Sequence, residues 1–343
     1  MTDLPADLPD FAQGTVNLAS ARLGAVGLST TDEFFAPVSR MLQDAPAVFL
    51  ADEYDDNGKW MDGWESRRKR VPGHDFAVIR LAMPGRIFGF DVDTSYFTGN
   101  YPPHCSIEAC FIDGGDPVET TVWTEILAKS PLGPGVLPGA HHFFGNGDRE
   151  TVWTHLRLHI YPDGGIARLR VYGAAHFDWS KVSAGQEVDL AYIYNGAKSL
   201  AWSNSHYGVP DQMLGPGRGI NMGDGWETAR RRGPGHDWAI IRLGHAGTIN
   251  RVIVDTAHFK GNYPDTCELL GANLPDQGET FSEADIEASA DWKPILQRQK
   301  LSMDHIHEYG ADAVQALGPV THVRFAMYPD GGVSRLRLYG NKV

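Results

Sequence analysis

The chain has few cysteines, no long apolar stretch and fewer basic than acidic residues. Its three cysteines form no Cys-x-x-Cys pair and leave at least one thiol unpaired, which favours a reducing, cytoplasmic location. Residues 1–7 are acidic and contain proline, so they are not typical of a signal peptide. No apolar run approaches the length that crosses a bilayer, and we therefore expect no membrane association.

Basic residues are scarce: 30 Lys and Arg stand against 43 Asp and Glu, giving a net charge of −13 at pH 7. Because nucleic acids and anionic membranes bind to basic surfaces, this balance predicts no nucleic-acid partner. The sequence also has no Gly-x-Ser-x-Gly elbow, no phosphate-binding P-loop and no zinc-type cysteine pairs. These absences point away from the best-known hydrolase, nucleotidase and zinc-module signatures.

What the chain does contain is a duplication. Residues 62–81 recur as residues 224–243, and 14 of the 20 positions are identical, whereas unrelated segments would match at about one position. Residues 93–102 recur as residues 255–264 at the same spacing of 162 residues. Each copy is long enough to close its own core, so the sequence predicts two like domains in tandem. We expect a tail over residues 1–14, a first repeat over 15–174, a linker over 175–187 and a second repeat over 188–343.

The recurring blocks have the composition of β-strands and tight turns. Residues 76–81 and 86–93 are rich in β-branched and aromatic residues and flank a Pro-Gly turn. Residues 154–160 alternate between apolar and polar, and the Asp-Gly that follows favours a hairpin. A helix is expected over residues 123–127, but helical periodicity is otherwise scarce. The sequence therefore predicts an all-β protein with two tandem homologous antiparallel β-sandwich domains of jelly-roll type.

The Asp-Gly-Trp-Glu block of each copy combines two carboxylates with an aromatic side chain. The carboxylates suit general acid–base work or the binding of urea-like N–H groups, and the tryptophan suits a lid or floor. A basic cluster follows at residues 67–70 and 230–232, and arginine binds small carboxylates with a bidentate fork. The alternative is that these arginines pair with loop Asp and Glu. The candidates are Asp62, Trp64, Glu65 and Arg68 in the first copy, and Asp224, Trp226, Glu227 and Arg230 in the second.

Histidines and asparagines supply further candidates. His74 and His236 each follow Pro-Gly and precede a strand, where a histidine serves either as a proton donor or to satisfy turn backbone groups. Their presence in both copies favours the structural interpretation. Asn100 and Asn262 lie in loops at strand ends, where sandwiches place ligand contacts. His258 stands where the first copy has a tyrosine, and because it titrates near neutrality it favours chemistry in the second copy at this position.

His305-Ile306-His307 has the spacing of two metal ligands on one strand face, and His141-His142 lies in a comparable region of the first copy. Such a pair without a located third ligand indicates a metal only weakly, so we interpret both as surface or loop histidines. Asp, Glu and His are numerous enough to hold a divalent metal, but their spacing does not demand one. The sequence therefore predicts no required cofactor.

These repeated blocks resemble the allantoicase family. The resemblance rests on residues 58–65, 73–75 and 91–102 in the first copy, and on residues 215–228 and 255–264 in the second. It covers nearly the whole chain and includes the order of the two repeats. The resemblance implies a pair of jelly-roll-like domains, assembly into homo-oligomers, and the hydrolysis of allantoate to ureidoglycolate and urea in purine and ureide breakdown.

The resemblance gives the candidate residues a chemical task. Allantoate is a small carboxylate whose central carbon bears two urea groups. We expect an arginine of a basic cluster to hold the carboxylate, Glu65 or Glu227 to transfer protons, His258 or His236 to assist, and Asn100 or Asn262 to orient the substrate. Two alternatives stay open at this point. One is a non-catalytic β-sandwich that binds a sugar or a ureide without turnover, and the other is a ureidase that prefers ureidoglycolate.

Overall fold

A computed structural model gives the fold of residues 8–274 and 291–343. The chain divides into two compact units, residues 1–176 and 177–343. The strands of the first unit are β1 Val16–Asn17, β2 Val26–Thr30, β3 Tyr54–Asp55, β4 Gly58–Lys59, β5 Trp64–Glu65, β6 Asp75–Asp93, β7 His104–Cys110, β8 Thr124–Pro131, β9 His141–Gly145, β10 Val152–Tyr161, β11 Gly165–Ile166 and β12 Arg168–Ala175. The described part of this unit also has a one-turn α-helix, α1, over Val38–Met41 and a turn of 3-10 helix over Asp10–Ala12.

The long strand β6 explains how the first unit closes into a sandwich. Its first half pairs with β10 and β2, whereas its second half pairs with β12 and β9. One bent strand therefore belongs to both layers. In the described residues the main sheet has eight antiparallel strands, with the path β1-β12-β6-β10-β7-β8 and with β2 and β9 added on β6.

The second unit repeats this arrangement around a strand of equal length. Its strands are β13 Val188–Asp189, β14 Lys198–Trp202, β15 Trp226–Glu227, β16 Asp237–Asp255, β17 Thr266–Ala272, β18 Lys293–Lys300, β19 Ile306–Tyr309, β20 Val320–Tyr328, β21 Gly332–Val333 and β22 Arg335–Lys342. Over the described residues the sheet runs β13-β22-β16-β20-β17-β18, with β14 and β19 on β16. The predicted all-β class with two tandem antiparallel domains is confirmed.

Alternation along the strands places the core. On β10 the side chains of Leu156, Leu158 and Ile160 are fully buried, while the residues between them face the other side of the sheet. Cys105 and Cys267 occupy equivalent buried positions, as expected for small hydrophobic residues. Burial raises the pKa of each of these thiols to about 12, so both are inert packing groups.

One local expectation is wrong, and the segments expected to flank the repeats are packed against them. The predicted helix over residues 123–127 is wrong, because this stretch enters strand β8, which pairs with β7. The expected tail is packed over its described part, since Phe11 contacts Tyr172 and Ala12 is buried. Within the expected linker, Trp179 packs on His245 and so belongs to the second unit. Residues 1–7 lie outside the described part of the chain.

No helix among the described residues is both long enough and apolar enough to cross a membrane.

Candidate functional site

A glutamate and an asparagine meet at the same place in both repeats. Glu65 lies opposite Gly165 in the β5–β11 pair, and the amide of Asn100 donates to Glu65 Oε1 at 2.7 Å. In the second repeat Asn262 donates to Glu227 Oε1 at 2.6 Å. The structure therefore joins two residue types that the sequence singled out separately, although 35 positions separate them along the chain.

Glycine holds this pair in place. The backbone N–H of Gly165 donates to Asn100 O at 2.8 Å, which ties the asparagine loop to the strand that faces Glu65. A Cβ at Gly165 would lie 2.0 Å from the ring of Phe97, so no other residue fits without displacing this core aromatic. Gly332 has the same relation to Phe259.

Glu65 is the more protected of the two carboxyls, with only 9% of the residue exposed. Burial raises the pKa of Glu65, the hydrogen bond from Asn100 opposes this change, and the negative charge of Asp55 adds to it. The net direction is upward, so the carboxyl holds its proton more readily than an ordinary glutamate. Such a group suits a general acid. Glu227 is only partly buried.

The two tryptophans belong to the framework. Trp64 and Trp226 are fully buried, and each indole N–H donates to a backbone carbonyl, that of Asp32 at 2.9 Å and that of Asn204 at 3.0 Å. A side chain without exposed surface cannot form the lid or floor of a ligand site. The predicted substrate contacts of Trp64 and Trp226 are therefore corrected to a packing role.

The neighbouring aspartates, Asp62 and Asp224, also have a structural role. Asp62 Oδ2 accepts from Arg168 at 2.7 Å, and Asp224 pairs with Arg335 in the same way. Both arginines are buried and need a counter-charge. The predicted substrate-binding role of Asp62 and Asp224 is thus corrected: each carboxylate neutralises an arginine that fixes the surrounding loops.

The basic clusters divide into paired and exposed members. Lys69 and Arg231, at equivalent positions, form ion pairs with the buried aspartates at the start of the long strands. Arg68 and Arg230 are exposed, and neither has an acidic partner among the residues that the structure describes. An anionic ligand could therefore reach these two arginines, and their predicted role in substrate binding stays a prediction.

The two strand-entry histidines share a setting of their own. His74 lies 4.4 Å from the ring of Tyr161, and the Lys129 ammonium lies 4.3 Å above that ring. His236 stacks on Tyr328 at 4.4 Å, with the Arg298 guanidinium 3.5 Å above it. Each repeat thus has a His–Tyr–cation stack. The hydrogen bond of His74 goes to His159 and not to Glu65.

His258 and Asn262 both contact the loop of residues 219–222. Its backbone is in the left-handed region with φ of 70°, and its Nε2 lies 2.7 Å from Gly219 O. The amide of Asn262 lies 3.8 Å from the sulfur of Met222 in the same loop. In the first repeat Tyr96 adopts the same backbone conformation but stacks on Phe49.

Comparison with known proteins places this constellation in a family. The model of the Allantoicase repeat matches residues 16–176 and again residues 188–343. A "Probable allantoicase" of Rhizobium meliloti (strain 1021) is 55% identical over 99% of this chain and 98% of its own length. Another from Pseudomonas syringae pv. syringae (strain B728a) is 55% identical over 95% of this chain and 96% of its own.

The chain belongs to the allantoicase family.

Solved structures agree with this assignment. The crystal structure of allantoicase from Saccharomyces cerevisiae is 36% identical, covers 95% of this chain and 93% of its own, and superposes with a TM-score of 0.78. A second allantoicase structure has a TM-score of 0.78 at 35% identity, over 96% of this chain and 93% of its own. The likeness extends over both repeats of the allantoicase-family chain.

A buried ionic cluster in the first repeat was missed by sequence reasoning. His141 Nδ1 lies 2.8 Å from Asp91 Oδ2, and Arg170 donates to the same oxygen at 3.0 Å. The interpretation of His141 as a surface or loop histidine is wrong, because its side chain is almost fully buried on β9. A signal was present in the sequence, since the second copy has Ile253 where the first has Asp91.

His307, from the second histidine pair, and its counterpart His142 in the first repeat both bond to the backbone. His307 is buried, accepts from the Ser302 N–H and lies 3.0 Å from Val254 O. His142 makes the equivalent contacts with Gly133 N and Val92 O. Both ring nitrogens are thus used by the backbone in each repeat, and neither is free to bind a metal. Among the described residues no group of three or more His, Cys, Asp or Glu side chains is placed to hold a metal ion.

Proposed function

We propose that this chain is an allantoicase, which hydrolyses allantoate to ureidoglycolate and urea. The single observation that carries the proposal is the 55% identity to a "Probable allantoicase" over 99% of the chain, across both repeats. The match to the yeast allantoicase structure supports it independently of the bacterial relatives.

In the reaction, the C–N bond between the central carbon and one ureido nitrogen breaks, and the oxygen of water bonds to that carbon. The site must therefore supply an acid that protonates the departing nitrogen, a base that takes a proton from water, and a cation that binds the carboxylate of the substrate. Urea and ureidoglycolate then account for every atom.

In the first repeat Glu65 is the proposed acid. Its buried position and the upward direction of its pKa support the delivery of a proton to the departing nitrogen. Asn100 donates to the Oε1 atom, and we assign the proton transfer to the other oxygen, Oε2. Arg68, which is exposed and next to this strand, is the proposed clamp on the substrate carboxylate.

The second repeat offers a corresponding set. We include Glu227 and Asn262 as the counterpart pair, Arg230 as the counterpart arginine, and His258 and His236 as its histidines. Glu227 is more exposed than Glu65, so it offers a less enclosed setting for a reaction from which bulk water is excluded. For this reason we propose that the first repeat performs the chemistry at this position.

The proposal extends to the setting of the enzyme. We propose a cytoplasmic location, which the three free and buried thiols support. We also propose a homo-oligomer, supported by the exposed apolar side chains Val48, Phe49, Leu50 and Tyr54 along one segment of the first repeat. Light scattering after size-exclusion chromatography tests the assembly, and a monomer at micromolar concentration would contradict it.

The decisive experiment measures urea released from allantoate by the purified protein, before and after treatment with a chelator. We expect urea and ureidoglycolate in equal amounts in both conditions, because we propose that no metal is required. Loss of activity with the chelator would show a metal requirement. Release of urea from ureidoglycolate in preference to allantoate would identify a ureidase. Binding of a ureide without turnover would identify a non-catalytic binding protein.

A further inference from the structure

We propose that His74 is the base that activates water in the first repeat, and that His159 and Glu108 are positioning residues that fix its tautomer. The proposal rests on the proposed function, since it names the base of that hydrolysis. It is carried by a chain of three side chains on the outer face of the first sheet.

The three side chains form a continuous hydrogen-bonded line. His74 Nε2 lies 2.8 Å from His159 Nδ1, and His159 Nε2 lies 2.8 Å from Glu108 Oε2. Arg157 donates to the same Glu108 oxygen at 2.7 Å. Glu108 faces Arg157 directly across the β7–β10 pair and reaches His159 diagonally. The line therefore depends on strand register, and strands are rigid supports for a site.

The line fixes where each proton lies. An ionised carboxylate only accepts hydrogen bonds, so His159 donates from Nε2 to Glu108. The other nitrogen of neutral His159, Nδ1, is then unprotonated and accepts from His74 Nε2. This leaves the lone pair of His74 on Nδ1. A carboxylate that sets a histidine tautomer in this way is the device that makes a histidine a dependable base.

The charge states agree with this assignment. Burial raises the pKa of Glu108, but hydrogen bonds from His159 and Arg157 outweigh that change and lower it. Burial lowers the pKa of His159, with the Glu108 bond opposing. Burial and His159 both lower the pKa of His74, while Asp75 opposes them and Lys69 and Lys129 add to them. Both imidazoles are therefore neutral and the carboxylate is ionised near pH 7.

The second repeat keeps the histidine but not the line. Its counterparts of His159 and Glu108 are Ala326 and Leu270, and the corresponding face carries an apolar cluster that includes Ile240. His236 thus stacks on its tyrosine, and within residues 8–274 and 291–343 no hydrogen bond to another side chain sets its tautomer. The repeats therefore differ in the hydrogen-bonded line and not in the His–Tyr–cation stack, which is present in both.

The surroundings of His74 suit an anionic ligand. His74 is partly exposed, and Lys129 lies above the neighbouring Tyr161 ring. Glu65 and His74 contact opposite ends of the same segment, residues 161–165, since Glu65 pairs with Gly165 and His74 packs on Tyr161. In the proposed step His74 Nδ1 takes a proton from water, the oxygen bonds to the central carbon, and the ureido nitrogen leaves with the electron pair and takes the proton of Glu65.

Three variants and one control test the line. His159→Ala installs the residue of the second repeat without removing the Arg157–Glu108 ion pair. Glu108→Gln removes the charge, and His74→Asn removes the base. Glu125→Gln is the matched control, because Glu125 faces Glu108 on strand β8, is exposed and lies outside the line. Thermal melting of each variant verifies folding.

We expect His74→Asn to lower kcat for urea release by about 10²–10⁴-fold. Glu108→Gln and His159→Ala each lower kcat by at least about tenfold with little change in KM, because the base is present in the wrong tautomer for part of the time. The double variant His74→Asn/Glu108→Gln loses no more than His74→Asn alone, since both act through one group. Long-range ¹H–¹⁵N spectra show His74 protonated at Nε2 in the parent and the control, and a mixture in Glu108→Gln.

Several results would overturn the proposal. These are kcat within twofold of the parent in both Glu108→Gln and His159→Ala, additive losses in the double variant, or a His74 tautomer that does not respond to Glu108→Gln. A parent protein that releases no urea would refute the proposed function, whereas the tautomer spectra would still decide whether Glu108 controls His74.

Discussion

Replacing Asp62 by asparagine removes the carboxylate that faces the buried guanidinium of Arg168. The arginine is only 2% exposed, and it also donates to the backbone carbonyls of Arg40, Ala45, Pro46, Asp62 and Ala167. Asparagine keeps an acceptor but no charge. The variant thus leaves a buried cation that the backbone carbonyls solvate only in part.

The expected loss can be estimated from the burial of this pair. Removing one partner of a buried ion pair costs about 3–5 kcal/mol, and about 1 kcal/mol lowers the Tm of a domain of this size by roughly 2–4 °C. We therefore expect the transition of the first unit to fall by roughly 6–20 °C in differential scanning calorimetry. Since the carboxylate does not face the substrate in this account, KM for allantoate in the folded variant should stay within about threefold of the parent.

An exposed pair supplies the control. Glu150 lies 3.7 Å from Arg86, and its side chain is 89% exposed. Glu150→Gln should change the free energy of unfolding by less than about 1 kcal/mol. The reasoning fails if Asp62→Asn leaves the Tm unchanged and raises KM by tenfold or more, because that result would return Asp62 to the substrate site.

Further predictions concern the site and the core. Glu65→Gln should lower kcat by about 10²–10⁴-fold with little change in KM, because glutamine cannot donate the proton; steady-state urea release measures both, and an unchanged kcat would exclude Glu65 as the acid. Gly165→Ala should cost about 1–3 kcal/mol by overpacking against Phe97, measured by guanidinium unfolding, and wild-type stability would contradict the packing argument. Burial lowers the pKa of His141, but the hydrogen bond that its ring N–H donates to Asp91 and the charges of both nearby aspartates outweigh burial, so the folded pKa is raised. The contribution of the protonated His141 to the free energy of unfolding is then complete below its unfolded-state pKa of about 6.5, and it is lost as the pH rises through the folded-state pKa. The free energy of unfolding of His141→Gln should therefore fall less than that of the parent as the pH rises above about 6.5. The same pH dependence in the variant and the parent would contradict the pairing of His141 with Asp91.

The fold class could be predicted from the sequence, because each strand and turn pattern occurs once in each copy. The Asp-Gly turns and the alternation over residues 154–160 recur in both copies, so a hairpin at one place supports the other. The stretch 123–127 shows where local reasoning fails. Its composition is compatible with a helix, and pairing with β7 decides the outcome. Tertiary context outweighs weak local preference.

Residue type was easier to predict than residue environment. Glu65 and Asn100 were both candidates, but only the fold shows that they bond to each other. Trp64 and Asp62 had the chemistry of a binding site, and burial assigns them to the framework instead. Nothing in a single sequence distinguishes an exposed carboxylate from one that neutralises a buried arginine 106 positions away.

Comparison of the repeats carries information that motif searches do not. Arg170 is neutralised by Asp91, whereas the equivalent Arg337 lies 3.7 Å from Asp189. In the first repeat the position of Asp189 is occupied by Asn17, which makes the same two backbone hydrogen bonds without a charge. The arginine is therefore the same in both repeats, but its acidic partner lies on β6 in the first repeat and on β13 in the second. Differences of this kind are found at both the buried His141 cluster and the line from His74 to Glu108.

The most direct test of the account is the release of urea from allantoate by the purified protein, measured with ureidoglycolate formation in the same sample. The account predicts one urea and one ureidoglycolate for each allantoate consumed, with kcat reduced by about 10²–10⁴-fold in Glu65→Gln. Folded protein that binds allantoate and releases no urea, with or without added divalent metal, would contradict it.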